Sequence, residues 1–509
     1  RAGGADARLA APQGARQLEA VDVEEAFRLP SVEVVESEYP GVSLSAGKTN
    51  ACCVLGVMLS VAVYALVSVG AASQQPGAGS GAALFEGALL ISGADGAPIA
   101  NAAFVVQDGT IARVGRRGEI AVPAGAVRIE LSGKTVMPTL INAHGHPGFQ
   151  RGLTYGRENY TRDTYLDDLR RAAYFGVRVV MSQGIDPGDL AYEIRRDQTG
   201  RSDEARLLLA GRGIGAPNAG PGAAAYQGIA YEVTTPEQGR TAVRELAAKN
   251  VDLVKIWVDD RGGRAPRMPP PVYRAIIDEA HGRTLKVNAH VFYHEDAVGL
   301  VDAGIDGLAH LVRDREMDGG LIAAIVRRGT YVMPNLGGAE RGTHSSVPSW
   351  FEEPGLMTLL RQSTSEPVID RIRASFTARD GPTANAARNR YMILQRSLAT
   401  LNKAGARIIL GCDTGLEDHL FGYAEQRELA EMVGAGMTPA QAIVAATSRP
   451  AEYLGLRNMG SLAPGKRADF MILSGNPLAD IQQTRSIEAV YFDGRQMDRA
   501  ALRARLVRP

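Results

Sequence analysis

Thr135-Val-Met-Pro-Thr-Leu-Ile-Asn-Ala-His144-Gly-His146 is a β-prone, mostly apolar run that ends in two histidines one residue apart. It reads as a strand over 135–143, and seven similar runs follow it at 177–182, 205–210, 251–258, 284–289, 307–309, 330–335 and 406–411. Amphipathic stretches separate them. Val243, Leu246 and Ala247 share one face of a helix predicted over 236–249, and Val272, Ile276 and Ala280 share one over 272–280. Thr438-Pro439 is an N-cap followed by proline at the first helical position, opening a helix over 440–447. Strands alternating with helices signal parallel βαβ units, and eight strands close a (β/α)8 barrel. The expected fold class is therefore α/β, a TIM-type barrel over 135–457.

The flanks read differently. Residues 83–134 and 458–497 carry short β-prone runs split by turns, with hairpin signals at Asp108-Gly109 and Asp493-Gly494. They are expected to pair, from both ends of the barrel, into one small composite β-sandwich. Within the barrel, 336–383 is a long insertion after the seventh strand, holding His344, Trp350, Phe351 and several arginines. Insertions at that position are often lids.

Five strand runs end in a potential metal ligand. Beyond His144 and His146 these are Val251-Asp-Leu-Val-Lys255, Leu285-Lys-Val-Asn-Ala-His290, Gly307-Leu-Ala-His310 and Ile408-Ile-Leu-Gly-Cys-Asp413. Barrel active sites are built at the carboxyl ends of the strands, where all of these candidates fall. Singly, the histidines would be loop residues or buried hydrogen-bonded rings, Lys255 a salt-bridge partner, and Asp413 a turn cap before Gly415. As an ordered set they suit two hard divalent metals, with imidazoles and a carboxylate as terminal ligands and a carboxylated lysine as a bridge. Four of the eight histidines sit in this set. The chemistry it points to is metal-assisted hydrolysis. Trp257, Asp259, Arg261, Tyr293, His294 and Arg313 follow the ligand positions, and Tyr293 and Arg313 are the expected substrate contacts. An arginine there could bind a carboxylate through two parallel bonds. His281 is expected to face solvent, and His344 and His419 to lie in loops.

Composition narrows the setting. Lys+Arg and Asp+Glu both number 56 in 509 residues, so no charge excess argues for nucleic acid or an anionic membrane. Cys52 and Cys53 lie in an N-terminal apolar run, and Cys412 stands alone in the body, so no disulfide framework is built there. Nothing between Lys48 and Glu86 is charged, and Val54-Leu-Gly-Val-Met-Leu-Ser-Val-Ala-Val-Tyr-Ala-Leu-Val67 is continuous and mostly apolar. With small residues after it, the segment 48–73 reads as an export signal cut near Ala71 or Ser73, or else as an uncleaved membrane anchor. The expected location is periplasmic or extracellular, with membrane attachment only through this segment if it is retained. Residues 1–47 show no sustained periodicity and read as a disordered extension, and 74–82 as a Gly/Ser/Pro-rich linker.

From about residue 83 to 497 the chain resembles the amidohydrolase superfamily, and within it the imidazolonepropionase-related branch that includes exported dipeptidases and carboxypeptidases. The resemblance is carried by Met137-Pro-Thr-Leu-Ile-Asn-Ala-His-Gly-His146, Lys255, His290, His310 and Asp413. Two more stretches carry it, Ala445-Ala-Thr-Ser-Arg-Pro-Ala-Glu-Tyr-Leu-Gly-Leu456 and Gly460-Ser-Leu-Ala-Pro-Gly-Lys-Arg-Ala-Asp-Phe-Met-Ile-Leu473. It implies two zinc ions: His144, His146 and Asp413 on one, His290 and His310 on the other, and Lys255, carboxylated by CO2, bridging both. Two departures stand beside the ligands: Asn142 where the family often has aspartate, and Ala309 where it often has glutamate.

The implied activity is hydrolysis of an amide C–N bond in a small peptide or N-acyl amino acid. Hydroxide made available by the metals attacks, and Asp413 is general base and then acid. A lactonase or phosphotriesterase on the same site, a mononuclear cyclic-amide hydrolase or deaminase, and a non-catalytic scaffold are the alternatives. A small molecule or short peptide is the expected substrate, with no nucleic-acid partner and with homo-oligomerisation open.

Overall fold

The computed structural model describes residues 81–507 apart from 199–202 and 223. The expectations for 1–47, 48–73 and nearly all of 74–82 lie outside the described residues. Among the described residues no helix is long and apolar enough to cross a membrane.

Eight parallel strands run in chain order: Leu140–Gly145, Val177–Ser182, Arg206–Leu209, Leu253–Trp257, Lys286–His290, Gly307–Ala309, Tyr331–Met333 and Arg407–Ile408. They form two runs of paired strands. Backbone bonds join those runs into a ring: Asp252 N–H donates to Leu209 O (2.7 Å), and Ala143 N–H donates to Leu410 O (2.9 Å). Helices cover the outside. Pro236–Ala248 begins with a reciprocal Thr235/Gln238 capping box and buries Ala242, Val243 and Leu246. Pro270–His281 buries Val272, Ile276 and Ala280. Pro439–Ala446 is capped by Thr438. These are the apolar faces that a 3.6-residue period selects.

The first predicted strand is two strands. Thr135–Pro138 belongs to a separate eight-stranded sheet, and only Leu140–Gly145 enters the barrel. Along that second sheet run Arg495–Gln496, Ile487–Phe492, Phe470–Leu473, Thr135–Pro138, Ala83–Leu90, Ile99–Gln107 and Thr110–Arg116, with Val127–Glu130 also pairing to Ala83–Leu90. Thr135–Pro138 lies antiparallel to Phe470–Leu473 and parallel to Leu89 and Leu90, so it joins the two ends of the described chain. Asp108-Gly109 and Asp493-Gly494 turn their hairpins with φ of 51° and 73°, and 51° and 72°. Both central residues of a tight hairpin turn need that left-handed region. A final helix, Arg499–Leu506, extends past the region read from sequence and returns to the barrel, where Arg505 Nε meets Asp167 Oδ1 at 3.1 Å.

The insertion is helical. Leu336–Arg341, Pro354–Arg361, Glu366–Ser375 and the long Gly381–Lys403 follow the seventh strand. Phe351, Leu356, Leu360, Ile369, Ile372 and Phe376 bury one another there, against Leu420 and Tyr423 of the segment after the eighth strand. It is therefore a small packed unit over the barrel mouth.

Candidate metal centre

The first and eighth strands are stitched together just where the candidate ligands lie. His144 O accepts from Asp413 N (3.0 Å), and His146 N donates to Thr414 O (2.6 Å). This brings His146 Nε2 to 2.9 Å and His144 Nε2 to 3.2 Å from Asp413 Oδ1. His144 Nε2 is also 3.2 Å from His146 Nε2 and 3.4 Å from Lys255 Nζ. The His310 ring lies 5.2 Å from that of His144 and 4.5 Å from that of His290, and His310 Nε2 is 4.0 Å from Asp413 Oδ2. All six residues expected from sequence thus converge. His144, His310 and Asp413 can each bring one ligand atom within 4.8 Å of the others, and His310 also neighbours His290, so it lies between the two groups of candidate ligands.

Lys255 is not at a strand end. It lies within Leu253–Trp257, buried to 1% exposure, with no carboxylate in ion-pair range among the described residues. Gly184, at φ +92°, makes room for it: a Cβ there would sit 2.8 Å from the Lys255 Cβ. Burial pushes the Lys255 ammonium down to about 7, against the opposing pull of Asp413. His144, His290 and His310 are held well below the ordinary histidine range, by burial first and then by the nearby charges of Lys255 and Arg313. For Asp413 burial acts upward, but the charge of His144, the bond from His146 and the charge of His310 keep its carboxyl well below the usual range. The set therefore joins His144, His290 and His310, whose charged forms burial disfavours, with a lysine whose charge burial also disfavours and a carboxylate held in its charged form.

That set fits divalent metal. Donors sharing one zinc at about 2.0–2.2 Å in a tetrahedron stand roughly 3.3–3.6 Å apart, close to the separations around His144 Nε2. One imidazole nitrogen can satisfy only one such neighbour by a hydrogen bond. A cation among these atoms would satisfy all of them. Asp413 and His310 both adopt left-handed backbone, φ 56° and 70°, a conformation that non-glycine residues hold only where the surroundings enforce it.

The surrounding bonds include residues not singled out from sequence. Asn335, at the end of the seventh strand run, accepts from His310 N–H through Oδ1 (3.1 Å) and reaches His144 Nδ1 through Nδ2 (3.3 Å). A polar residue at a strand's carboxyl end was the available signal. Asn142, one of the two departures, accepts from His144 N–H (2.9 Å) and donates to Glu425 (2.6 Å) and Thr414 (3.1 Å). Burial pushes Glu425 up to about 7. Asp259 Oδ1 lies 3.6 Å from His290 Nε2. Tyr226 meets Phe149 edge to face and lies 6.1 Å from the His146 ring, in a Gly/Ala-rich stretch that carried no signal.

A cavity of about 100 Å3 opens onto the candidate ligands, lined by His290, His310, Asp413, Asn335, Arg313, Arg390 and Tyr391 with apolar Leu311, Leu394 and Leu416. Of the two expected substrate contacts, Arg313 lines it. Tyr293 does not; its hydroxyl donates to Asp260 (2.8 Å) and its ring lies under Arg267. His281 is exposed and bonded to Asp306, and His344 meets Glu340. His419 is buried and bonded to Cys412 O.

Residues 135–497 match the family model described as the amidohydrolase family. An uncharacterized protein of Mycobacterium tuberculosis is 28% identical over 218 residues, 42% of this chain and 54% of that protein, so the match spans about half of that relative's length. Ochratoxinase of Aspergillus niger is 24% identical over 458 residues, 80% of this chain and 85% of that enzyme. Among solved structures, a Xaa-Pro dipeptidase with bound methionine aligns at a TM-score of 0.63 and 23% identity, covering 82% of this chain and 99% of the other. With the family model spanning well over half of the sequence and the barrel built as described, the chain belongs to the amidohydrolase family.

Proposed function

We propose that the protein is a metal-dependent hydrolase that breaks the C–N bond of an amide in a small peptide or N-acyl amino acid. One observation carries this reading: Asp413, His146 and Lys255 all crowd within 3.4 Å of the His144 Nε2 atom, inside a buried barrel mouth. Two zinc ions, when bound, would supply acidified water and a Lewis acid for the carbonyl. His144, His146 and Asp413 would hold one, His290 and His310 the other, and Lys255 both. Lys255 reaches that role by adding its neutral amine to CO2, forming one N–C bond and releasing one proton.

The chain's own groups then handle the protons. Asp413 accepts a proton as water oxygen bonds to the carbonyl carbon, and delivers it to the leaving nitrogen as the C–N bond breaks. Asn335 and Asn142 fix the backbone and rings that aim these groups. The apolar run at 54–67 supports export as the setting.

The test is metal content of protein purified with bicarbonate and without chelator, followed by turnover of dipeptides and N-acyl amino acids. Two ions per chain with amide turnover is the expected result. One ion per chain with deamination instead would replace this reading, and no ion after adding zinc would remove it.

A further inference from the structure

Arg390 lies on the long insertion helix Gly381–Lys403, whose buried face is Ala384, Tyr391, Leu394, Leu398 and Leu401. It sits at the edge of that face and lines the cavity that also holds His290, His310 and Asp413. Other arginines of the insertion are matched: Arg371 by Asp418, Arg373 by Glu352, Arg396 by Glu316 and Arg388 by Thr343 O. Arg390 has no hydrogen-bond or ion-pair partner among the described residues, although it is half-buried. Burial lowers its pKa, and no neighbouring charge contributes to the shift. Arg313, the other cavity arginine, is different, because its charge opposes the burial-driven rise of Asp259.

A half-buried guanidinium with no partner is costly unless an anion meets it. Its planar fork matches a carboxylate. Ala387 and Leu394, one helical turn to either side of Arg390, line the same cavity with Leu311 and Leu416, which suits a carboxylate carried on an apolar body. We infer that Arg390 is a specificity-determining residue that binds the free carboxylate of the substrate, making this a hydrolase of apolar N-acyl amino acids or peptides with a free C-terminus. This rests on the amidase reading given above.

The experiment compares binding of N-acetyl-L-leucine and N-acetyl-L-leucinamide by calorimetry to the metal-loaded protein, in wild type, Arg390→Met and Arg390→Lys. The free acid should bind wild type about 10- to 100-fold tighter than the amide. That ratio should fall towards one in Arg390→Met, which keeps the aliphatic bulk, and lie between in Arg390→Lys, which keeps charge without the fork. An unchanged ratio in Arg390→Met overturns the inference, as does equal binding of both ligands by wild type. An Arg390-dependent preference in a protein that hydrolyses no amide supports the carboxylate site and removes the amidase reading, so the two fail separately.

Discussion

In the composite sheet, Phe85, Phe104, Phe470 and Tyr491 pack with ring centroids 4.5–5.4 Å apart. At the barrel mouth, His144, His146, His290 and His310 pack at 4.5–5.2 Å. The spacing is the same and the chemistry is opposite. The first set is self-sufficient: two stacked pairs meet edge to face, an arrangement that aromatic rings favour. In the second, nitrogens and a carboxylate oxygen outnumber the hydrogen bonds that can join them. Burial and close contact therefore do not mark a functional site. A surplus of converging donors does.

The largest expected effect breaks the second set alone. On the proposed reading Lys255→Ala should lose both metal and turnover, the latter by about 1000-fold or more, because a bridging ligand would position both ions. Compared metal-free, variant and wild type should have similar denaturation midpoints, because removing a buried amine with no carboxylate in ion-pair range offsets the packing its stem loses. Full metal content with normal turnover in this variant would make Lys255 a structural residue.

The reciprocal change is Phe470→Ala. Removing a ring that touches Phe85, Phe104 and Tyr491 should cost about 3–5 kcal/mol in chemical denaturation. Metal stoichiometry below the transition should stay as in wild type. Loss of metal from the folded variant would show that the sheet and the barrel mouth are not separable.

Asn335→Ala sharpens the comparison from within the site. It removes the bonds to His310 N and His144 Nδ1 without removing a ligand. Metal affinity, read by chelator competition, should fall about 10- to 100-fold. An unchanged affinity would mean that the strand ends alone orient the rings.

The two sets differed as much in legibility as in chemistry. The candidate ligands other than Lys255 were readable because each is a polar residue closing an apolar run, and a barrel brings such ends to one face; Lys255 was readable as a charge inside such a run. Asn335 closes a run in the same way, but an amide is not a ligand type and so passed unmarked. The break at Thr139 was hidden, since 135–143 is uninterrupted in β propensity while its two halves serve different sheets. Helices of the insertion were obscured by their length and by their own private core. Tyr293 lay one turn past His290, where reach to substrate was plausible, but Asp260 and Arg267 hold it elsewhere. Whether a cation is matched, as for Arg390 and Arg313, depends on contacts far apart in sequence and was not readable at all.

The smallest effect concerns a buried carboxyl next to the site rather than in it. Glu428 accepts from Leu336 N (2.9 Å) and Gly337 N (2.7 Å), holding the first turn of the insertion. Burial pushes it up to about 8, opposed by those two bonds, while Glu431 adds to the rise and Arg427 opposes it. Nearby, Glu340 lies 3.7 Å from Arg427, Tyr391 bonds Glu431, and His344 meets Glu340, so the surroundings mix both signs. Because the folded pKa lies above the unfolded one, the folded chain keeps a proton that the unfolded chain has released between about 4.5 and 8. Stability from this group is therefore full below that window and falls as pH rises through it. The slope is at most about 1.4 kcal/mol per pH unit for one proton. Denaturation midpoints at three pH values inside the window should fall more steeply for wild type than for Glu428→Gln, which cannot titrate. The glutamine offers one oxygen to two donors, so its curve should start lower. Its slope is the readout, and parallel curves would mean that Glu428 is ionised throughout and that the two amides and Arg427 outweigh its burial.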